Sequence, residues 1–230
     1  MKVTRIAQTV IDRTAMYEVT DEKFETWSVR NDKDSDVLAE FAGRACYQSW
    51  SRPNPATAHN ADYIRSAVHE KGHESIAAHA SVTYYITGVS RALTHEMIRS
   101  RFLAFSEVSQ RYVDANQLGT VTPPALRDAP TYGEDPAADS REWYTEIVEV
   151  LIDKGLTRKQ AREAARAVLP SMIETRIVVS GNLRAWRDFI KQRWSVHADA
   201  EIRELAGEIL KDLRQVAPNT FADIPEEPYE

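Results

Sequence analysis

The sequence predicts an α+β protein. Two stretches alternate apolar and polar residues with the period of a strand and a third is rich in Ile and Val, while much of the remainder repeats apolar residues every three or four positions, as a helix facing a core does. Both kinds are interspersed along the chain. No internal repeat, low-complexity run or composition break divides them, so one domain over residues 1–230 is expected.

Taken in order, residues 2–10 place Val3, Ile6 and Val10 in loose alternation and suit a first strand. Residues 20–34 are polar and acidic and read as a loop. From Ser35 a helix is expected, with Leu38, Phe41, Ala42, Ala45 and Cys46 on its apolar face, which would leave Cys46 a buried, inert thiol. Pro53 and Pro55 make residues 51–60 an ordered loop. Asn60 can cap a helix carrying Tyr63, Ile64, Ala67 and Val68, which Gly72 would end. Residues 80–87 alternate again, with Val82, Tyr84 and Ile86 on one face. Ser90 then caps a helix that delivers a group of arginines. After Tyr112 a loop with Gly119, Pro123 and Pro124 runs to about Ser140. The next helix carries Trp143, Tyr144, Ile147, Val148 and Leu151 and stops at Gly155. Thr157 caps a helix over 158–169, ended by Pro170. Residues 173–180 form a strand rich in Ile and Val, Asn182 starts a helix through Arg193, and a last helix covers about 198–216, before an acidic tail from Pro218.

Bulk properties narrow the function classes. A chain of 230 residues can bury a core without staples, and a lone cysteine, Cys46, rules out an internal disulfide framework. The first residues lack the apolar run of a secretory signal, and no stretch approaches the ~20 apolar residues of a membrane span, so a cytoplasmic protein without a membrane partner is expected. A formal net charge of -6 argues against nucleic acid as a partner.

Within this acidic chain, residues 91–112 read RALTHEMIRSRFLAFSEVSQRY, with four arginines (Arg91, Arg99, Arg101, Arg111) against Glu96 and Glu107. Guanidinium groups held close together suit a small phosphorylated ligand, because their planar fork meets phosphate oxygens two at a time. A solvated arginine-rich helix face is the competing reading. His69-Glu70-Lys71-Gly72-His73 matches H-E-x-x-H, the spacing of a zinc hydrolase. Gly72 disfavours continuing that helix, which turns His73 away from His69 and leaves His69 a surface histidine near a helix C-terminus; no metal is expected. With 8 glycines and no glycine-rich phosphate loop, any nucleotide must be held chiefly by side chains.

Arg99-Ser100-Arg101, seven residues and then Ser109, with Glu107 before it and Arg111 after it, resembles the signature of flavin-dependent thymidylate synthases, R-H-R, seven residues, then serine. FAGRACYQSW from Phe41, KGHES from Lys71, REAARAVLP from Arg162 and GNLRAWRDFIKQR from Gly181 follow in that family's order, so the resemblance spans about residues 40–218. It implies reductive methylation of dUMP to dTMP, with methylenetetrahydrofolate as carbon donor, FAD carrying the hydride and NADPH as reductant. It also implies an antiparallel sheet flanked by helices, in a homotetramer whose active sites are built across subunits. Carried over position by position, Glu96, Arg99, Glu107, Ser109, Gln110, Arg111, Arg166 and Arg193 match dUMP contacts, with Arg193 at the uracil ring. Arg193 and Ser109 are the implied catalytic positions. No histidine or lysine lies in the stretch to act as base for a Ser109 nucleophile. His73, Ser75, Arg99, Ser100, Arg101, Phe102, Glu107, Asn182, Arg184, Asp188 and His197 match flavin contacts. Three positions depart from the pattern: Ser100 for histidine, Ala78 for a frequent glutamate, and Asp188 for asparagine or histidine. They imply a working enzyme with looser flavin binding. Alternatives are the zinc hydrolase and a catalytically weakened arginine-rich nucleotide-binding relative.

Overall fold

The computed structural model describes residues 1–24, 32–128 and 135–230. Part of the expected 20–34 loop and part of the loop to Ser140 fall outside the described residues. The fold is α+β, as expected. Four strands, β1 (Lys2–Gln8), β2 (Ser81–Ser90), β3 (Ala104–Glu107) and β4 (Glu174–Asn182), form one antiparallel sheet in the order β1-β2-β4-β3. The helices are α1 (Arg13–Glu18), α2 (Asp34–Tyr47), α3 (Asn60–Ile64), α4 (Arg91–Met97), α5 (Ala138–Asp153), α6 (Arg158–Ala165), α7 (Leu183–Arg193) and α8 (Ala200–Val216).

The alternation read in β2 does what a half-buried strand requires. Val82, Tyr84 and Ile86 point inward, beside Ile177 and Val179 of β4, onto Trp186 and Phe189 of α7 and Ile202, Leu205, Ile209 and Leu213 of α8. Trp186 donates its ring N–H to the Val82 carbonyl at 3.1 Å, so the largest core side chain leaves no polar atom unmet. Helices therefore cover one sheet face. On the opposite face of the single chain, Tyr85, Ser106 and Arg176 are exposed. Asn182 caps α7 through Ala185 N–H, and Thr157 and Gln160 form a capping box on α6, both as their sequence positions predict.

Several expectations are corrected. α1 and β3 were not anticipated. Asn60 is the first residue of α3 rather than its cap, and its side chain is buried, donating to the Asp36 carbonyl (3.0 Å) and to Glu40 (2.9 Å). Cys46 is exposed, not buried. The reason lies in α2, whose fully buried face is polar: Asp36, Glu40 and Arg44, one turn apart, face inward with Val37, Ala39 and Gly43. The expected face is only half-buried, Leu38 against the main core and Phe41 against Phe24 and Trp50. His69 is likewise no surface histidine. It lies on a π-helical turn, Arg65–Glu70, that continues α3, with Nε2 3.3 Å from the Thr220 carbonyl and 3.4 Å from Asp223. The acidic tail is docked: Phe221 and Ile224 are buried in the main core.

Asp36 accepts from Asn219 N–H (2.9 Å), Thr220 N–H (3.0 Å) and the Thr220 hydroxyl (2.6 Å), and burial pushes its carboxyl up from 3.8 to about 6. The folded state thus holds this proton more tightly than the unfolded chain. Ionised Asp36 weakens the fold above pH about 6, and this burden is shed as pH falls from about 6 towards about 4. Urea unfolding of wild type and Asp36→Asn should show the stability difference moving in favour of wild type from pH 7 to pH 4. The expected size is roughly 3 kcal/mol. An unchanged difference would mean that the three donors keep Asp36 ionised.

Candidate active site

The arginine-rich stretch is not one long helix. Ser90 caps α4 by accepting from Leu93 N–H (3.0 Å), and the cap is itself anchored, its hydroxyl donating to buried Glu201 at 2.5 Å and its backbone N–H at 2.8 Å. α4 stops after seven residues, and the chain turns back through 98–103 into β3, which pairs with β4. Arg99, Arg101 and Phe102 ride on this turn with exposed side chains, Phe102 being 73% exposed. Ser100 points inward, and its hydroxyl is buried without a hydrogen-bond partner.

Two pairs tie neighbouring elements to this turn. Arg193, at the end of α7, donates to the Glu96 carboxylate (3.0 Å) and to the Glu96 carbonyl (3.2 Å), while its Nε is buried and unpartnered. Glu107, at the end of β3, accepts from the Thr94 hydroxyl (2.8 Å) and pairs with Arg91 at 3.3 Å. Glu107 is thereby drawn towards α4, and the strand's continuation carries Ser109, buried Gln110 and Arg111 towards α6. Arg111 lies 3.6 Å from Glu163, and Arg166, in the turn following α6, is exposed.

A second group lies along α7. Arg184 is exposed and Asp188 accepts from Gln192 at 3.0 Å. The Asn182 side chain is engaged as the α7 cap. His73 and Ser75 stand exposed on either side of Glu74, at a short 3-10 turn, Glu74–Ala78, that packs against α7. His197 is exposed beyond the C-terminus of α7. The structure therefore joins Glu96, Arg193 and the Arg99–Arg101 turn at the C-terminal end of α7, sets His73 and Ser75 on either side of a Glu74 bonded to Arg187 and Lys191, and leaves Arg184 in the first turn of the helix. A cleft of about 1250 Å³ beneath α8, lined by Met1, Gly88, Glu174 and Lys211, contains none of these residues.

Gly72 takes φ +69 and closes the helix before His73, so His69 and His73 of the H-E-x-x-H match diverge. His69 turns towards Asp223, whereas His73 faces solvent beside a small cleft with Lys71 and Tyr63. The structure gives the zinc reading no shared site.

Sequence reasoning missed the polar apparatus behind this surface: Thr94 and Arg91 on Glu107, and Arg187 between Glu74 and Asp223. Arg187 had a visible signal, since it shares the face of α7 that carries Leu183, Trp186 and Ile190. A charge in an apolar stripe needs a buried partner.

An antiparallel α+β sheet whose helix ends present guanidinium groups around a short turn defines a side-chain binder of phosphorylated ligands. The sequence profile of the thymidylate synthase complementing protein family matches residues 29–219. A probable flavin-dependent thymidylate synthase of Mycobacterium phage L5 is 51% identical over 243 aligned residues, covering 100% of this chain and 99% of the phage protein. The flavin-dependent thymidylate synthase of Mycobacterium avium strain 104 is 55% identical over 207 residues, 86% of this chain and 82% of its own. The fold is similar to that of thymidylate synthase X from Helicobacter pylori, solved with FAD and dUMP, at a TM-score of 0.64 and 19% identity over 97% of this chain and 98% of that one. The chain belongs to the flavin-dependent thymidylate synthase family.

Proposed function

We propose that this protein methylates dUMP reductively to dTMP in the cytoplasm, using the surface along α7 and the Arg99–Arg101 turn. Bound FAD, recharged by NADPH, supplies the hydride, and methylenetetrahydrofolate supplies the carbon. The chain's own work is to bind, orient and polarise. The observation that carries the reading is the Glu96–Arg193 pair beside the turn of Arg99 and Arg101. This surface is cationic and holds two buried atoms with bonds still to make, Arg193 Nε and Ser100 Oγ, which fits anionic ligands.

In this reading Arg99, Arg101, Phe102 and Ser100 meet the flavin, together with His73, Ser75, Glu107, Asn182, Arg184, Asp188 and His197. Glu96, Arg99, Glu107, Ser109, Gln110, Arg111, Arg166 and Arg193 hold dUMP. Arg193 stabilises negative charge developing on the pyrimidine. Ser109 acts through its hydroxyl as a hydrogen-bonding group, because no base stands beside it.

Residues 1–230 act as one domain, since the C-terminal segment packs into the same core as the sheet. The open sheet face with Tyr85 supports a homotetramer with sites between subunits. The absorption spectrum of freshly purified protein tests the function: a flavin band is expected, bleached by NADPH without oxygen. A protein that neither carries flavin nor takes it up on addition would overturn the reading.

A further inference from the structure

We propose that the C-terminal segment, residues 218–230, is part of the flavin-binding apparatus: Asp223, acting through Arg187 and Glu74, sets the turn that carries His73 and Ser75 against α7. This rests on the assignment of those residues to the flavin. The family profile matches residues 29–219, so Asp223 lies outside the matched stretch.

Arg187 is 1% exposed, and a buried charge persists only when its donors are met. Its fork closes on Asp223 with bonds of 2.6 and 2.7 Å, and Nη1 also donates to the Thr220 carbonyl. On its other side Nε and Nη2 reach the same Glu74 oxygen at 3.4 Å, and Lys191, one turn further along α7, donates to that oxygen at 2.6 Å. Among the described residues, the side-chain hydrogen bonds made by residues 72–78 are those of Glu74 alone. Glu74 lies between His73 and Ser75, two residues after Gly72, where φ is +69. α7 itself carries Arg184 and Asp188 on its outer side. One clamp therefore spans two stretches assigned to the flavin, and its far end is held by the C-terminal segment.

The charges agree with this geometry. Burial alone would raise the Glu74 and Asp223 carboxyls, yet Lys191 and Arg187 carry Glu74, and Arg187 carries Asp223, below their ordinary values. Burial works likewise against the Arg187 charge, and Asp223 and Glu74 outweigh it.

A positioning role separates from a merely structural one. A partly exposed pair such as Glu74–Lys191 adds little to global stability, whereas a displacement of about 1 Å in a binding group can weaken its function up to 10²-fold. The test uses the full chain with Asp223→Asn and Glu74→Gln. FAD affinity is read by fluorescence titration, dUMP affinity by calorimetry, and amide exchange over residues 73–78 without ligand. Each variant is expected to weaken FAD by about tenfold, to leave dUMP within about twofold, and to speed exchange at 73–78 by about tenfold without change in the sheet. The double variant should lose little more than either single one, because both break one clamp.

Unchanged exchange at 73–78 would overturn the proposal, as would FAD and dUMP affinities falling together in step with melting temperature. Wild-type protein without FAD affinity would overturn the assigned function instead, and the exchange measurement would still report on the clamp. If Asp223→Asn does not fold, Glu74→Gln carries the same test, since the Glu74 side chain is 25% exposed.

Discussion

Arg193→Ala is expected to lower kcat/KM for dUMP by about 10²–10³, some 3–4 kcal/mol of lost transition-state stabilisation, while barely changing the melting temperature. The two halves have different physical origins. Arg193 ends α7, where a cation favours the helix dipole, and its side chain is 21% exposed opposite a Glu96 that is 40% exposed. A pair so open to water contributes no more than about 1 kcal/mol to folding. Its guanidinium nonetheless has a buried Nε with nothing to bind in the protein, and an acceptor from a ligand would complete it. Charge that develops on a pyrimidine during reaction is met best by a donor already held in place, because no reorganisation is then required. Glu96 holds Arg193 from two directions, by its carboxylate and its carbonyl.

Arg193→Lys should recover only a small part of the activity, since an ammonium lacks the fork that bonds two acceptors at once. Steady-state kinetics beside thermal unfolding decides the matter. Activity within fivefold of wild type, or a collapse of stability equal to the loss of activity, would remove Arg193 from the reaction.

The Arg193–Glu96 contact shows where sequence reading reaches and where it stops. Each residue was legible alone, because the signature around Arg99 and the segment ending at Arg193 are local patterns. Their contact spans 97 residues and depends on the antiparallel pairing of β2 with β4, which starts α4 and α7 at opposite ends of the sheet and lets their C-terminal ends meet. β2 was legible because its buried face alternates cleanly, and β4 because it is rich in Ile and Val. β3 was not: it has four residues, including Ser106 and Glu107, and acquires its identity from pairing with β4. α1 buries no side chain, so no apolar period announced it. α2 misled for a more instructive reason. Periodicity scores apolar residues as inward, and here a charged stripe faces inward because Asn60, Arg52, Asn219 and Thr220 converge on it from elsewhere in the chain.

That stripe yields the largest stability effect. Arg44→Met is expected to destabilise the fold by roughly 3–5 kcal/mol, lowering the melting temperature by on the order of 10 °C, although the new side chain is apolar and of similar length. Arg44 is 2% exposed and makes bonds to three separate elements: Glu40 at 2.6 Å, the Thr57 carbonyl at 2.6 Å and the Ser49 carbonyl at 3.3 Å. Its guanidinium also lies 4.5 Å from the centre of the Tyr63 ring, which crosses α2 at Gly43 so closely that a Cβ there would clash with the tyrosine oxygen. Methionine can fill the volume but offers no donors, so Glu40 is left with Arg52 and Asn60, and two half-buried carbonyls lose a donor. Replacing both members, Glu40→Leu with Arg44→Met, should destabilise less than the sum of the single changes by at least about 1 kcal/mol, because the second change removes the charge that the first has stranded. Urea unfolding of the four proteins at pH 7 measures this coupling. A loss below about 1 kcal/mol for Arg44→Met would show that water reaches the stripe and that the polar face of α2 does not hold the helix in place.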